Sequence, residues 1–148
     1  MATDSRLAGI PHRAPFLFVD EVVDVEDRRI VTKVYVDPGA DFFRGHYPGQ
    51  PVMPGVLLCE CCFQAGALLI AQREGPVDVA RAVPVVTRIQ DARFKRIVRP
   101  GETVRAEVTL DDTLDNAYFL TGKASVDGAL ALRVSFACML VGTEAAGP

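Results

Sequence analysis

Proton transfer to a small substrate needs an imidazole or a carboxyl group in a controlled setting, and His46 and Glu60 are the side chains of this sequence whose surroundings suit that work. The chain has 2 histidines. His46 sits in Phe43-Arg44-Gly45-His46-Tyr47-Pro48-Gly49-Gln50-Pro51, where prolines stiffen the backbone, and rigid loops beside buried elements are where proteins hold working groups. The competing reading is a loop histidine satisfied by a local hydrogen bond. His12, in Ile10-Pro11-His12-Arg13-Ala14-Pro15-Phe16, is expected to be structural or exposed.

Glu60 lies inside the apolar run 55–71. A carboxylate there loses its hydration, so its pKa should rise and the group should stay protonated near neutral pH, as a proton donor. The alternative is a glutamate paired with an arginine from a neighbouring strand. Gln64, one helical turn later, shares the face of Glu60 and is placed to hydrogen-bond and orient it. Pro54-Gly55 opens the run. The first amides of a helix lack internal partners and point outward with the positive end of the helix dipole behind them, which suits an oxyanion. Glycine at 55 lets a carbonyl approach the backbone closely. From Gly55 to Glu60 a helix rises about 7 Å, a span that fits a three-carbon reacting unit.

A base, a neutral acid and an oxyanion hole are what β-elimination from a thioester requires. No nucleophile is needed, and none is well presented. The cysteines fall in the helix body or a strand, and Ser5, Ser125 and Ser135 have no adjoining histidine. Tyr47, Pro54 and Val56, which flank the histidine and the helix start, are with Gln64 the candidate substrate contacts.

The elements that must hold these groups follow from periodicity. Residues 16–36 are rich in Val, Ile and Phe around a charged break at 26–29, which predicts a β-hairpin. Gly45, Pro48, Gly49, Pro51, Pro54 and Gly55 make the next segment a shaped loop. The run 55–71 is apolar on every face except at Glu60 and Gln64, so it is the central helix, covered on all sides. Residues 104–110 alternate as a half-buried strand. Leu130, Leu132, Val134, Phe136, Cys138 and Leu140 repeat the period of two, and Asp127-Gly128 before them signals a tight hairpin. Strands with one segregated helix mean an α+β fold.

The length, 148 residues, fits one domain, 1–148, with an ordered core over about 8–141 and frayed ends at 1–7 and 142–148. A net charge of -3 argues against nucleic acid as the main partner. Residues 1–7 lack the apolar run of an export signal, which gives the cytoplasm as the expected compartment. Glu60 and Gln64 make the helix a costly membrane span. Cys59, Cys61 and Cys62 lack the further ligands of a zinc site and read as small apolar side chains, so no metal is expected. Arg88, Arg93, Lys95, Arg96 and Arg99 form a basic stretch in an acidic chain. It is either a solvated strand face or a docking patch for an acidic protein.

The string Gly45-His46-Tyr47-Pro48-Gly49-Gln50-Pro51-Val52-Met53-Pro54-Gly55-Val56-Leu57, followed by Glu60 and Gln64, closely resembles the signature of bacterial 3-hydroxyacyl-[acyl-carrier-protein] dehydratases of the fatty-acid-synthesis type. Segments 10–20 and 91–101 are similar as well. The resemblance implies a hot-dog fold, an antiparallel sheet wrapped around one long helix, in dimers that often assemble into trimers of dimers. It implies an active site across the dimer interface, with His46 of one subunit facing Glu60 of the other and the Gly55 amide as oxyanion donor. It implies no cofactor or metal, and as partner an acyl carrier protein carrying the 3-hydroxyacyl chain, for which Arg93, Lys95, Arg96 and Arg99 are the candidate docking residues. Glutamate at 60, where isomerising relatives carry aspartate, implies plain dehydration. Ala14, Tyr47, the cysteine cluster and Arg88 depart from the family pattern. Two other functions remain open on this fold: a thioesterase, in which an ionised Glu60 would activate water, and a non-catalytic acyl-binding subunit.

Overall fold

The computed structural model describes residues 4–142. One helix, α1 (Gly55–Glu74), packs against a six-stranded antiparallel sheet. Its strands are β1 (Glu21–Glu26), β2 (Arg29–Tyr35), β3 (Ala82–Phe94), β4 (Thr103–Leu114), β5 (Ala117–Val126) and β6 (Ala129–Gly142). Their order across the sheet is β1-β2-β4-β5-β6-β3. This is the α+β hot-dog arrangement that the sequence predicts.

The apolarity of α1 has its cause in this wrapping, since the helix meets β2, β3, β4, β5 and β6. By length and composition alone it could cross a membrane; here the sheet takes up its apolar surface. From Cys61 to Ala71 every residue is buried. Two glycines set the depth of that contact. A Cβ on Gly122 of β5 would lie 2.8 Å from the Cys62 Cβ, and one on Gly66 of α1 would lie 2.9 Å from the Phe136 ring. Helix and sheet therefore approach closer than any larger residue permits at either point.

The expected hairpin 16–36 is β1 and β2, paired from Glu21↔Lys33 to Glu26↔Arg29. Asp127 and Gly128 both take positive φ, 49° and 80°, the pair of left-handed conformations that matches a two-residue turn to the twist of β5 and β6. The last strand departs from strict alternation at its start. Ala124 pairs with Leu132 but Ser125 with Leu130, so Ala131 is an extra residue that bulges. Ala131 and Leu132 are both buried while Leu130 is 38% exposed, the opposite of what the period of two predicts for Leu130.

β3 carries no periodic signal because it is an edge strand interrupted by two irregularities, at Val86/Arg88 and Gln90/Arg93. Most of it is exposed. The chain start differs from the expectation of a frayed 1–7. Ser5–Gly9 forms a 3-10 turn, Asp4 accepts the Arg6 and Val22 amides at 3.0 Å each, and Leu7 is buried. Leu7 fills the core beside α1, and that burial is what orders the segment. Residues 1–3 and 143–148, which complete the expected frayed ends, lie outside the described residues.

Candidate active site

The segment between β2 and α1 is irregular apart from a 3-10 turn at Asp41–Arg44. Buried Phe43 and Met53 pin its two ends, the second also through a 2.8 Å bond from the Met53 amide to the Val98 carbonyl. Between these anchors the His46 amide bonds the Phe42 carbonyl at 3.0 Å. The imidazole Nδ1 lies 2.9 Å from the Val52 carbonyl oxygen. A carbonyl oxygen only accepts, so Nδ1 carries a hydrogen, and in the neutral tautomer the lone pair is on Nε2. Tyr47 follows at φ 52°, a conformation that costs a side-chain-bearing residue about 1–2 kcal/mol. Its ring stands 4.5 Å from the His46 ring and is 66% exposed.

Glu60 and Gln64 occupy successive turns of α1. Gln64 is fully buried and its amide is saturated: Oε1 accepts the Phe18 amide at 2.7 Å, while Nε2 donates to the Phe16 carbonyl at 2.9 Å and to Glu60 Oε2 at 2.8 Å. The backbone groups of Phe16 and Phe18 leave one orientation for that amide, so the group presented to Glu60 is a donor. Burial raises the Glu60 carboxyl above the ordinary carboxylate range, against a smaller lowering by the Gln64 N–H. With Oε2 taken as acceptor, the proton of the neutral acid belongs on Oε1. Among the described residues no arginine pairs with Glu60, which removes the ion-pair alternative.

At the start of α1, Pro54 supplies no side-chain hydrogen bond to the helix, and the amides of Gly55 and Val56 point outward as orphan donors. Gly55 has a packing role that the sequence did not reveal. A Cβ there would lie 2.8 Å from the Phe94 ring of β3. Val56, beside it, is 73% exposed.

The structure brings Glu60 and Gln64 together and places Gly55 at the helix start. His46 makes no approach to Glu60 within ion-pair distance among the described residues. The imidazole that does is His12, with Nε2 3.9 Å from Glu60 Oε2. Sequence reasoning set His12 aside as a lone histidine near the chain start, structural or exposed, and nothing in its spacing points to the helix it meets. Of the basic stretch, Arg88, Arg93, Lys95 and Arg99 are exposed, whereas Arg96 is matched by both carboxylate oxygens of Glu102, at 2.9 and 3.0 Å. A cleft of about 350 Å³ between the first 3-10 turn, β1 and the end of α1 is lined by none of the candidate residues.

Comparison with known proteins places these features in context. A FabA-like domain is matched over residues 10–135. The chain is 41% identical over 136 residues to a 3-hydroxyacyl-[acyl-carrier-protein] dehydratase FabZ of Anaeromyxobacter dehalogenans, covering 91% of this chain and 87% of the relative. It is 42% identical over 131 residues to the FabZ of Herpetosiphon aurantiacus, covering 88% and 91%. Among solved structures, the dehydratase heterocomplex ApeI:P of Xenorhabdus doucetiae is similar with a TM-score of 0.74 at 17% identity, over 92% of this chain and 90% of that one. A hypothetical thioesterase of Streptococcus pneumoniae is similar at 0.64 and 12% identity, over 82% and 88%. At such identities the structural likenesses show the hot-dog fold alone, which dehydratases and thioesterases share.

Proposed function

The chain belongs to the FabA-like family, and from that membership we propose how its residues divide the work of a 3-hydroxyacyl-[acyl-carrier-protein] dehydratase. The protein is a hydro-lyase that dehydrates 3-hydroxyacyl thioesters. The finer statement is that it converts (3R)-3-hydroxyacyl chains on acyl carrier protein to trans-2-enoyl chains in cytoplasmic fatty acid biosynthesis, as one domain over 1–148. His46 Nε2 takes the proton from C2. The Gly55 amide holds the thioester oxygen as negative charge develops, and Glu60 Oε1 gives its proton to the C3 hydroxyl, which leaves as water while C2=C3 forms. The proton gained by the imidazole and the one lost by the carboxyl balance, so one transfer between them resets the pair. Tyr47, Pro54 and Val56 line the entry for substrate. Gln64 acts through Glu60.

The pair is assembled between two subunits, His46 from one and Glu60 from the other. What supports a dimer is β3, a thirteen-residue edge strand with Val85, Ile89 and Phe94 exposed along it, since a long apolar edge is a template for pairing with a second chain. Exposed Arg93, Lys95 and Arg99 on and beyond this strand form the docking surface for an acidic carrier protein, with Arg96 held by Glu102.

The observation that carries the reading is Glu60 held by Gln64 at 2.8 Å in a setting whose burial raises its pKa and so favours the protonated form. A thioesterase on this fold needs that carboxylate ionised to activate water, and burial opposes the ionisation. The test is a spectrophotometric assay on a 3-hydroxyacyl thioester. Gain of enoyl absorbance without thiol release is expected, and thiol release in its place would replace dehydration by hydrolysis.

A further inference from the structure

His12 stands against the same carboxyl group. Its Nε2 is 3.9 Å from Glu60 Oε2, about half an ångström beyond a direct hydrogen bond, and catalytic hydrogen bonds are commonly that long before substrate binds. Its Nδ1 is buried with no hydrogen-bond partner. A hydrogen on Nδ1 would be a buried donor facing nothing, whereas on Nε2 it faces a carboxyl oxygen, so the Nε2–H tautomer is favoured.

We propose that His12 is a positioning residue for the acid. Its Nε2–H and the Gln64 N–H converge on Glu60 Oε2, keep the transferable proton on Oε1, and stabilise the carboxylate formed when that proton leaves. This deepens the dehydratase reading and rests on it. Burial, helped by the adjacent Arg13, lowers the His12 pKa, and burial raises that of Glu60, and both shifts favour the neutral pair over the ion pair. The titratable groups around it are few. Arg13 donates to the Ile10 and His12 carbonyls at 2.8 and 2.6 Å. Cys59 and Cys61 of α1 are raised by burial, and Cys138 of β6 is pushed up to about 12, so the thiols stay protonated where the enzyme works. His46 of a second subunit joins this set in the dimer.

Loss of the donor makes Glu60 a weaker acid with a higher pKa. Activity that needs neutral Glu60 then persists to higher pH while the proton transfer slows. In the full-length protein, His12→Phe is expected to lower kcat about tenfold with KM little changed, and to move the alkaline limb of the pH profile up by about one unit. His12→Gln, which restores an N–H near the Nε2 position, should recover most of kcat. A His12→Phe protein with wild-type kcat and pH profile would overturn the proposal and leave the dehydratase reading intact. So would equal loss in both variants accompanied by a fall in melting temperature, which marks a structural role. Nitrogen-15 spectra of the wild-type imidazole test the tautomer without any assay. A hydrogen found on Nδ1 would overturn the proposal, whereas an inactive wild type would defeat the dehydratase reading instead.

Discussion

Glu60 combines an apolar setting with a titratable group, and that combination has a cost that can be measured. Its folded pKa lies above the ordinary value of 4.5. Between that value and the folded one, the unfolded chain has released a proton that the folded chain keeps. The folded state then binds more protons, and stability falls as pH rises through this window. Glu60→Gln has no proton to keep. The variant is expected to melt higher than wild type at pH 8, the difference shrinking toward zero at pH 4; a variant less stable than wild type at pH 8 would show that the carboxyl is not strained by burial. The same variant and His46→Ala are each expected to lose at least about a hundredfold in turnover, the usual scale of a general acid or base. Near-wild-type rates in either would remove that residue from the chemistry.

The helix places Glu60 and Gln64, and a proline-bounded loop places His46, so the elements matter through what they hold rigid. Gln64 ties α1 to the segment 16–18 through two backbone groups. Gln64→Leu keeps the volume but orphans the buried Phe18 amide, at about 1–3 kcal/mol, and the part-buried Phe16 carbonyl at a smaller cost. Urea unfolding should show a loss of that order. A midpoint unchanged from wild type would mean that water or a shifted segment satisfies both groups. The sequence revealed α1 because its apolar run is long, and it revealed β4 and β6 by their alternation. It concealed β3, whose side chains do not divide into a dry and a wet face, and it misled at Leu130, where one bulged residue reverses the expected facing. Local pattern reports which face of a strand is buried, and it has no content for an edge or a bulge.

For the whole molecule, the decisive prediction concerns assembly. If His46 of one subunit serves Glu60 of another, mixed dimers of inactive His46→Ala and Glu60→Gln chains contain one intact pair and one doubly altered pair. After denaturation and refolding together, activity should return to about a quarter of wild type, because half of the dimers are mixed and each has one working site. No recovery would place both groups in one chain or show that the subunits do not exchange. Ile89→Glu on the exposed edge of β3 should shift the protein toward monomers in size-exclusion chromatography and abolish turnover together. The sequence by itself determined the helix that carries Glu60 and the Gln64 contact, because these follow from residue types and from spacing within one element. The tautomer of His46, the saturated Gln64 amide, the ring of Phe94 over Gly55 and the approach of His12 to Glu60 were decided only by the tertiary structure. The last three join residues about forty or more positions apart and the first joins two residues of one irregular loop, and contacts of either kind leave no periodic trace along the chain.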